Sequence, residues 1–252
     1  KWMKDEVQRG DILITSEAPF GQIFFWDSDE KIVLSQRLFC VRIKPEYDAR
    51  FIYYYMTTPE FQSELDGRAT GTTVIGLRQP ELMKCVIRCP EIQEQKVIAA
   101  ILSSIDAKII ANEKVNDNLL EQASSIYQAW FEDFILSDGS CPPSWKQGTL
   151  AGIADITSGK RPPVKSAEKT DNAIIPIVGA ASVMGYTTAA NHTDKILVTG
   201  RVGTHGVVQR FNSPCWASDN TLVITSAFYE YTFQILQRID YRAMNRGSTQ
   251  PL

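Results

Sequence analysis

The sequence has no long hydrophobic run, and nothing approaches the roughly 18 apolar residues that a membrane-spanning helix needs. Residues 1–8 are mostly charged or polar and lack the apolar stretch of a signal peptide. Histidine occurs only twice in 252 residues, and the five cysteines are scattered without a C-x-x-C pair. This pattern argues against a disulfide framework and against a structural zinc site. We therefore predict a cytoplasmic protein that binds no metal and no membrane.

Catalytic signatures are also missing. There is no G-x-x-x-x-G-K-[ST] phosphate loop and no Asn/Asp-Pro-Pro-aromatic motif of amino-methyltransferases. Residues 200–203 come nearest to a dinucleotide-binding turn, but no helix pattern follows them. His192 and His205 have no metal-ligand or catalytic partner close in sequence, so a surface or turn role is favoured for both. The sequence predicts a protein without catalytic activity or cofactor.

The cysteines give one further expectation. Cys85 and Cys89 are four residues apart, and Cys85 belongs to the apolar run of residues 85–87. An isolated thiol in such a run behaves as a small apolar side chain. Both are therefore expected to be ordinary buried thiols.

Charge is unevenly distributed, although the net charge is only −3. Lys, Arg, Asp and Glu give −1 for residues 1–90, −6 for residues 91–143 and +4 for residues 144–252. The pI near 5.5 argues only weakly against nucleic acid, because the acidic residues are concentrated in the middle segment. That segment suits a protein partner better than a phosphate backbone, which would repel it.

The middle segment also has the strongest periodicity. Residues 91–138 contain neither Gly nor Pro, and their apolar positions recur in alternating steps of three and four. A 3.5-residue repeat of this length predicts a long coiled-coil helix over residues 91–138, with Pro90 before it and Gly139 after it. Such a helix needs a partner helix to bury its seam. The predicted seam consists of Ile98, Leu102, Ile105, Ile109, Asn112, Asn116, Leu119, Ala123, Ile126 and Trp130.

Asn112 and Asn116 are the polar positions of this seam. A buried Asn would fix the register and the number of partner helices at a cost in stability. The alternative is that both face a solvated gap, and the sequence alone does not choose between them.

The segments on the two sides of this helix resemble each other. Residues 11–15, followed by Gly21, correspond to residues 195–199, followed by Gly206. Residues 35–38 correspond to residues 219–222, and an aromatic, helix-like stretch follows each, at 51–56 and 228–236. The repetition, about 180 residues apart, predicts two similar α/β domains of short strands and helices, joined by the long helix.

The two copies are not complete. The first begins just ahead of its strand, and the second has a lead-in of residues 145–192 without a counterpart. We therefore assign residues 1–90 to the C-terminal part of one domain, 91–138 to the spacer helix and 139–252 to the N-terminal part of a second domain. The chain looks like a fragment of a longer repeat.

This ordered set of motifs resembles the specificity subunit of type I restriction–modification systems, in register over essentially the whole chain. No single motif is diagnostic, but the order is fairly specific. The motifs are Gly10-Asp11-Ile12-Leu13-Ile14 with Gly21, Gly71-Thr72-Thr73, Pro90-Glu91-Ile92-Gln93-Glu94-Gln95, and Trp145 and Leu150 before Gly159-Lys160-Arg161-Pro162.

The resemblance implies an adaptor that reads double-stranded DNA and has no chemistry of its own. Each domain would read half of a split site, and paired antiparallel spacer helices would set the gap between the halves. The helices would also dock modification subunits, which carry the methyltransferase, and restriction subunits through them. Because this chain lacks a second spacer helix, we expect the seam to pair with another copy, giving a homodimer.

Candidate DNA contacts in the second domain lie in three loops. Cations beside small, flexible residues suit phosphate contact, and Gln or Arg can contact a base edge with two hydrogen bonds. A solvated or tight turn is the alternative for each loop. The candidates are Ser158, Gly159, Lys160 and Arg161; Gly200, Arg201, Gly203 and His205; and Arg246, Ser248, Thr249 and Gln250.

In the first domain the candidates are Arg68, Thr72, Thr73, Arg78 and Gln79. A structural turn is the favoured alternative for the Gly-Thr-Thr part. The loop of residues 16–21 has Glu17 where its counterpart has Arg201, as two domains that read different sequences would show. The main rival to DNA recognition is a protein-assembly scaffold whose domains never touch DNA. The weakest rival is an enzyme with an unrecognised site, since the two histidines are isolated.

Overall fold

A computed structural model of the protein describes residues 5–71, 75–201 and 206–241. The chain forms two compact units that divide between Asp117 and Asn118. Both units combine short strands with helices, and one long helix contains the dividing point. The predicted mixed α/β class with a long helix is confirmed.

The first unit is built around a three-stranded antiparallel sheet of order β2-β1-β3. Central strand β1 contributes Ile12 and Ile14 to a core that Phe61 and Leu65 complete from the helices. Because β1 is fully apolar at these positions, it is covered rather than exposed to solvent. The elements are β1 (Ile12–Thr15), β2 (Ile23–Phe25), β3 (Leu38–Val41), α1 (Ala49–Met56), α2 (Pro59–Arg68), α3 (Gln79–Leu82) and the first part of α4 (Ile92–Tyr127).

Side-chain caps define where these helices begin. The Asp48 carboxylate accepts the Phe51 N–H at 2.9 Å and starts α1. The Gln95 side chain is buried on α4, where its Oε1 accepts the Asp48 N–H at 3.0 Å and its Nε2 donates to the Pro90 carbonyl at 2.8 Å. Gln95, the last residue of the Pro-Glu-Ile-Gln-Glu-Gln motif, thereby joins the start of α4 to the start of α1.

The second unit contains two sheets. A four-stranded antiparallel sheet has the order β4-β10-β7-β8, and a three-stranded sheet has the order β6-β5-β9 with β5 and β9 parallel. Central strand β7 is buried along its whole length. The elements are β4 (Asp155–Ser158), β5 (Ile175–Val178), β6 (Val183–Thr187), β7 (Ile196–Gly200), β8 (Val208–Phe211), β9 (Trp216–Ala217), β10 (Thr221–Thr225) and α5 (Tyr229–Arg238).

The predicted repeat is present in the strand register. In each unit a buried strand pairs with the strand that follows it and, on its other edge, with a later strand that precedes a helix. Thr15 pairs with Leu38 in the first unit, and Thr199 pairs with Leu222 in the second. The hairpins agree too, because Ile12 faces Phe25 and Ile196 faces Phe211.

The long helix ends earlier than the predicted residue 138. Regular α-helix stops at Tyr127, a π-helical turn follows at Gln128–Glu132, and Phe134 adopts a left-handed conformation with φ 51°. A left-handed residue other than glycine costs about 1–2 kcal/mol. The Phe134 ring packs edge-on against the Trp145 ring, with 5.6 Å between the ring centres, and this contact helps offset the cost. Packing, rather than Gly or Pro, therefore ends the helix.

All five cysteines are free, and their burial differs from the expectation. Cys85 is half-buried and Cys89 is exposed, so the prediction of buried thiols is wrong for Cys89. Cys89 lies just before Pro90, at the start of α4, where the chain runs along the surface. Across the described ranges, no helix has both the length and the apolar character needed to cross a membrane.

Candidate nucleic-acid interface

The loop after β4 presents the first group of predicted contacts. Ser158 is the last residue of β4 and pairs with Leu222 of β10. The Gly159 N–H donates to the Thr221 carbonyl at 3.0 Å, and the Lys160 N–H donates to the Ala217 carbonyl at 2.9 Å. The backbone of the loop is therefore fixed to the sheet, while the side chains of Ser158, Lys160 and Arg161 are exposed.

Gly159 has a structural reason to be glycine. A Cβ atom at this position would overlap the Ser218 carbonyl oxygen and would lie 2.6 Å from the Thr221 Oγ1. Only a residue without a side chain allows the loop to pack this closely on the segment before β10. Gly159 thus serves the fold, while the neighbouring cations Lys160 and Arg161 form no ion pair within the described residues.

A rigid support lies behind Lys160. The Trp216 indole N–H donates to the Lys160 carbonyl at 2.7 Å. The Asn191 side chain accepts the Ala217 N–H at 2.8 Å and donates to the Ala217 carbonyl at 3.1 Å, which holds β9 beside the loop. These contacts pre-order the backbone that carries Lys160, so less conformational entropy would be lost on binding.

His192 is part of this support. Its backbone pairs with Cys215, and its side chain is half-buried. Burial lowers the pKa of His192, and the positive charge of Lys160 lowers it further. The imidazole is therefore neutral near pH 7, which agrees with the predicted turn role and adds no cation to the surface.

The second predicted loop meets the first at the end of the same sheet. Gly200, the last residue of β7, pairs with Thr221, the residue whose carbonyl also accepts the Gly159 N–H. Arg201 follows and donates its N–H to the Asn220 carbonyl at 2.9 Å. The Arg201 side chain is half-buried, and its Nε has no hydrogen-bond partner among the described residues, which leave out 202–205. Gly203 and His205 lie outside the described residues.

Two lysines extend this surface and were not among the predicted contacts. Lys165 and Lys169 are exposed in the irregular segment between Arg161 and β5. The backbone of Ser166 pairs with Tyr186 of β6 in both directions, at 2.9 and 2.8 Å, which anchors this segment to the second sheet. Composition could have indicated these two lysines, since residues 160–169 contain four basic residues and one acidic residue.

The first unit brings its predicted loops together as well. The Leu77 N–H donates to the Ser16 carbonyl at 2.9 Å, which places the exposed side chains of Arg78 and Gln79 near the loop after β1. Arg68 is held by Glu64 at 2.7 Å and lies 3.9 Å from Glu81, so its charge is already paired within the unit. Thr72 and Thr73, and in the second unit Arg246, Ser248, Thr249 and Gln250, lie outside the described residues.

The predicted seam is largely uncovered. Ile105, Ile109, Leu119 and Ile126 are each half exposed or more, and Asn112 and Asn116 are also exposed. Near the start of α4 the helix packs on its own unit instead, where Ala99 enters the core and the Tyr54 hydroxyl donates to Asp106 at 2.7 Å. Ile98 and Leu102 are half-buried there, whereas Ala123 and Trp130 are exposed.

The fold and these loops define a class: a two-unit α/β protein with a repeated sheet-and-helix core, a long shared helix and basic loops at a sheet end. Within the described ranges, no group of three or more His, Cys, Asp or Glu residues could hold a metal ion.

Residues 4–122 match the family described as the type I restriction modification DNA specificity domain. The chain is 28% identical over 182 residues to the type I restriction enzyme MjaIX specificity subunit of Methanocaldococcus jannaschii, covering 68% of this chain and 41% of that protein. It is 27% identical over 174 residues to the HindI specificity subunit of Haemophilus influenzae, covering 63% and 37% respectively.

The chain therefore spans about two fifths of the length of these relatives. Its fold is similar to the crystal structure of a type I restriction–modification S subunit from M. genitalium. The TM-score is 0.52 at 21% sequence identity, over 96% of this chain and 68% of the other.

Proposed function

We propose that the protein is the DNA-recognition subunit of a type I restriction–modification complex and that it reads a two-part site. The repeated strand register carries this proposal. Both units share one framework, but Glu17 in the first occupies the loop position that Arg201 has in the second. Different side chains on one framework suit the reading of two different half-sites.

In the second unit, phosphates would be contacted first by Lys160 and Arg161, with Lys165 and Lys169 beside them. These side chains are exposed and unpaired among the described residues, and cation–phosphate pairing supplies most of the affinity in such complexes. The backbone behind them is fixed by Trp216 and β10, so the loop is already ordered for a duplex. Arg201 and, in the first unit, Gln79 are the candidates for base contacts.

Helix α4 would act as the spacer between the half-sites. Its 36 residues correspond to about 54 Å of continuous helix at 1.5 Å per residue. Its acidic surface would dock modification subunits and, through them, restriction subunits. The specificity subunits to which the chain is similar are named as parts of type I restriction enzymes, and the family places catalysis in the other subunits. We therefore propose that this chain is not an enzyme.

The exposed seam of α4 would pair with α4 of a second molecule of the protein, and the two helices would run antiparallel. Ile105, Ile109 and Leu119 expose about half of their surfaces, which a helical partner would remove from water. A protein that remained a monomer in light scattering would contradict this pairing.

The decisive experiment maps methylated positions in DNA that has been exposed to the modification subunit with and without the full-length protein. A gapped, two-part motif that requires the protein would establish DNA recognition. Unchanged methylation would favour the alternative, a protein-assembly scaffold. Salt separates the two as well, because the logarithm of the DNA affinity should fall linearly with the logarithm of the salt concentration.

A further inference from the structure

Arg238, in the last turn of α5, combines four hydrogen bonds with an ion pair. Its Nη2 donates to the Ser124 carbonyl and hydroxyl at 2.9 Å each, and its Nη1 donates to the Gln234 carbonyl at 3.1 Å and Oε1 at 2.9 Å. Its Nε lies 2.8 Å from the Glu132 carboxylate. The two terminal nitrogens of the guanidinium therefore have two acceptors each, and the Glu132 carboxylate balances its charge.

The acceptors connect two elements of the second unit. Ser124 belongs to the last regular turns of α4, Glu132 closes the π-helical turn, and Gln234 belongs to α5. The guanidinium also lies over the Tyr127 ring, 4.2 Å from its centre, and is one quarter exposed. One side chain therefore joins α5 to α4 on both sides of the point where α-helix gives way to π-helix.

Aromatic rings also meet at this junction. Tyr231 of α5 packs its ring against Tyr127 and Phe131 and also makes a side-chain hydrogen bond with Tyr127. Aromatic contacts of this kind hold elements together but tolerate sliding, whereas four directed hydrogen bonds and an ion pair fix one geometry. A π-helical turn also departs from the 3.6-residue repeat, so the direction of the chain after it depends on what holds it.

We infer that Arg238 is a positioning residue: it fixes the second unit to α4 in one orientation and so sets the gap between the two half-sites that the protein accepts. The inference rests on the proposed function. A side chain that served stability alone would leave the preferred gap unchanged when replaced. Replacing a side chain that positions the unit would broaden the range of gaps that the protein accepts.

The test uses the full-length protein with its modification subunit and a series of DNA duplexes in which the gap of the mapped motif changes one base pair at a time. Arg238→Met keeps the apolar stem and removes all five donors. We expect the preference for the best gap over a neighbouring gap to fall by about tenfold. Glu132→Gln keeps an oxygen acceptor but removes the charge, and we expect a smaller loss. It also provides a readout if Arg238→Met folds poorly.

Arg210→Met is the matched control. Arg210 also lies over an aromatic ring of α5, that of Phe233 at 4.6 Å, and also pairs with a Glu, Glu230 at 3.1 Å, but its contacts do not reach α4. We expect this variant to keep the preferred gap of the wild type. An unchanged gap preference in both Arg238→Met and Glu132→Gln would overturn the inference and leave DNA recognition intact. A wild-type protein that recognises no gapped site would overturn both the inference about Arg238 and the proposed function.

Discussion

Asp11 and Arg42 form a two-pronged ion pair inside the first unit. The Arg42 Nε donates to Asp11 Oδ1 at 2.9 Å, and its Nη2 donates to Oδ2 at 2.8 Å. The Asp11 side chain is 3% exposed, and it also accepts the Gln8 N–H at 2.8 Å. A buried carboxylate with this many donors is satisfied only while it is ionised.

This pair makes the first unit sensitive to acid. Burial raises the pKa of Asp11, but the hydrogen bonds and charge of Arg42, with those from Gln8 and Cys40, outweigh it and leave the pKa below its usual value. Because the folded pKa is lowered, the stabilisation is present above the unfolded pKa, near 4, and is lost as pH falls through the folded pKa.

We expect Asp11→Asn to lower the free energy of unfolding at pH 7 by about 2 kcal/mol, because it removes the charge from the hydrogen bonds to Asp11 while Arg42, whose side chain is 43% exposed, stays partly solvated. It should also reduce the loss of stability between pH 5 and the acid range. Urea unfolding at several pH values measures both. Asp66→Asn, at an exposed position of α2, is the control and should change neither. An acid dependence equal to that of the wild type in Asp11→Asn would contradict the assignment.

The second prediction concerns Gly159. Gly159→Ala would place a Cβ against the carbonyls of Ser218 and Ala217, so the loop must move away from β10. We expect a loss of at least about 2 kcal/mol in the stability of the second unit. Thermal unfolding measures it. Gly148→Ala is the control, since its Cβ would meet nothing within 4 Å. Equal melting temperatures for the two variants would show that the close packing at Gly159 is not needed.

Secondary-structure elements could be predicted from the sequence more accurately than the tertiary contacts between them. The repeat could be found because its strands are short apolar runs with turn glycines, and the pairing of Thr199 with Leu222 follows from that of Thr15 with Leu38. The end of α4 could not be predicted, because no Gly or Pro marks Phe134. Its left-handed conformation depends on contact with Trp145, which no local pattern contains.

The candidate site shows the same limit. The loops at Lys160 and Arg201 were each predicted from local cations and glycines. The two loops meet beside Thr221 because β10 lies between β4 and β7 in the sheet. This strand order cannot be predicted from any short stretch of sequence. Arg238 gave no signal at all, because its acceptors Ser124 and Glu132 are more than 100 residues away.

The third prediction tests phosphate contact directly. Replacing Arg161 with Ala should lower DNA affinity about equally for all sequences and reduce the slope of log affinity against log salt by about 1. The double variant with Lys160→Ala should reduce it by about 2. Lys108→Ala removes the same charge from an exposed position on α4 and should leave the slope unchanged. A slope that did not change in the double variant would exclude this loop from the interface.

The fourth prediction concerns the seam of α4. Ile109 is 50% exposed at a predicted seam position, so a paired helix would bury it and a charge there would be desolvated without a partner. We expect Ile109→Glu to weaken self-association by at least about tenfold, measured by sedimentation over a concentration series. Ala107→Glu adds the same charge at an exposed position on the opposite side of the predicted heptad and should associate like the wild type. If both variants weakened association equally, the acidic net charge of the helix rather than its apolar seam would govern pairing. If neither did, α4 would not be the dimer contact.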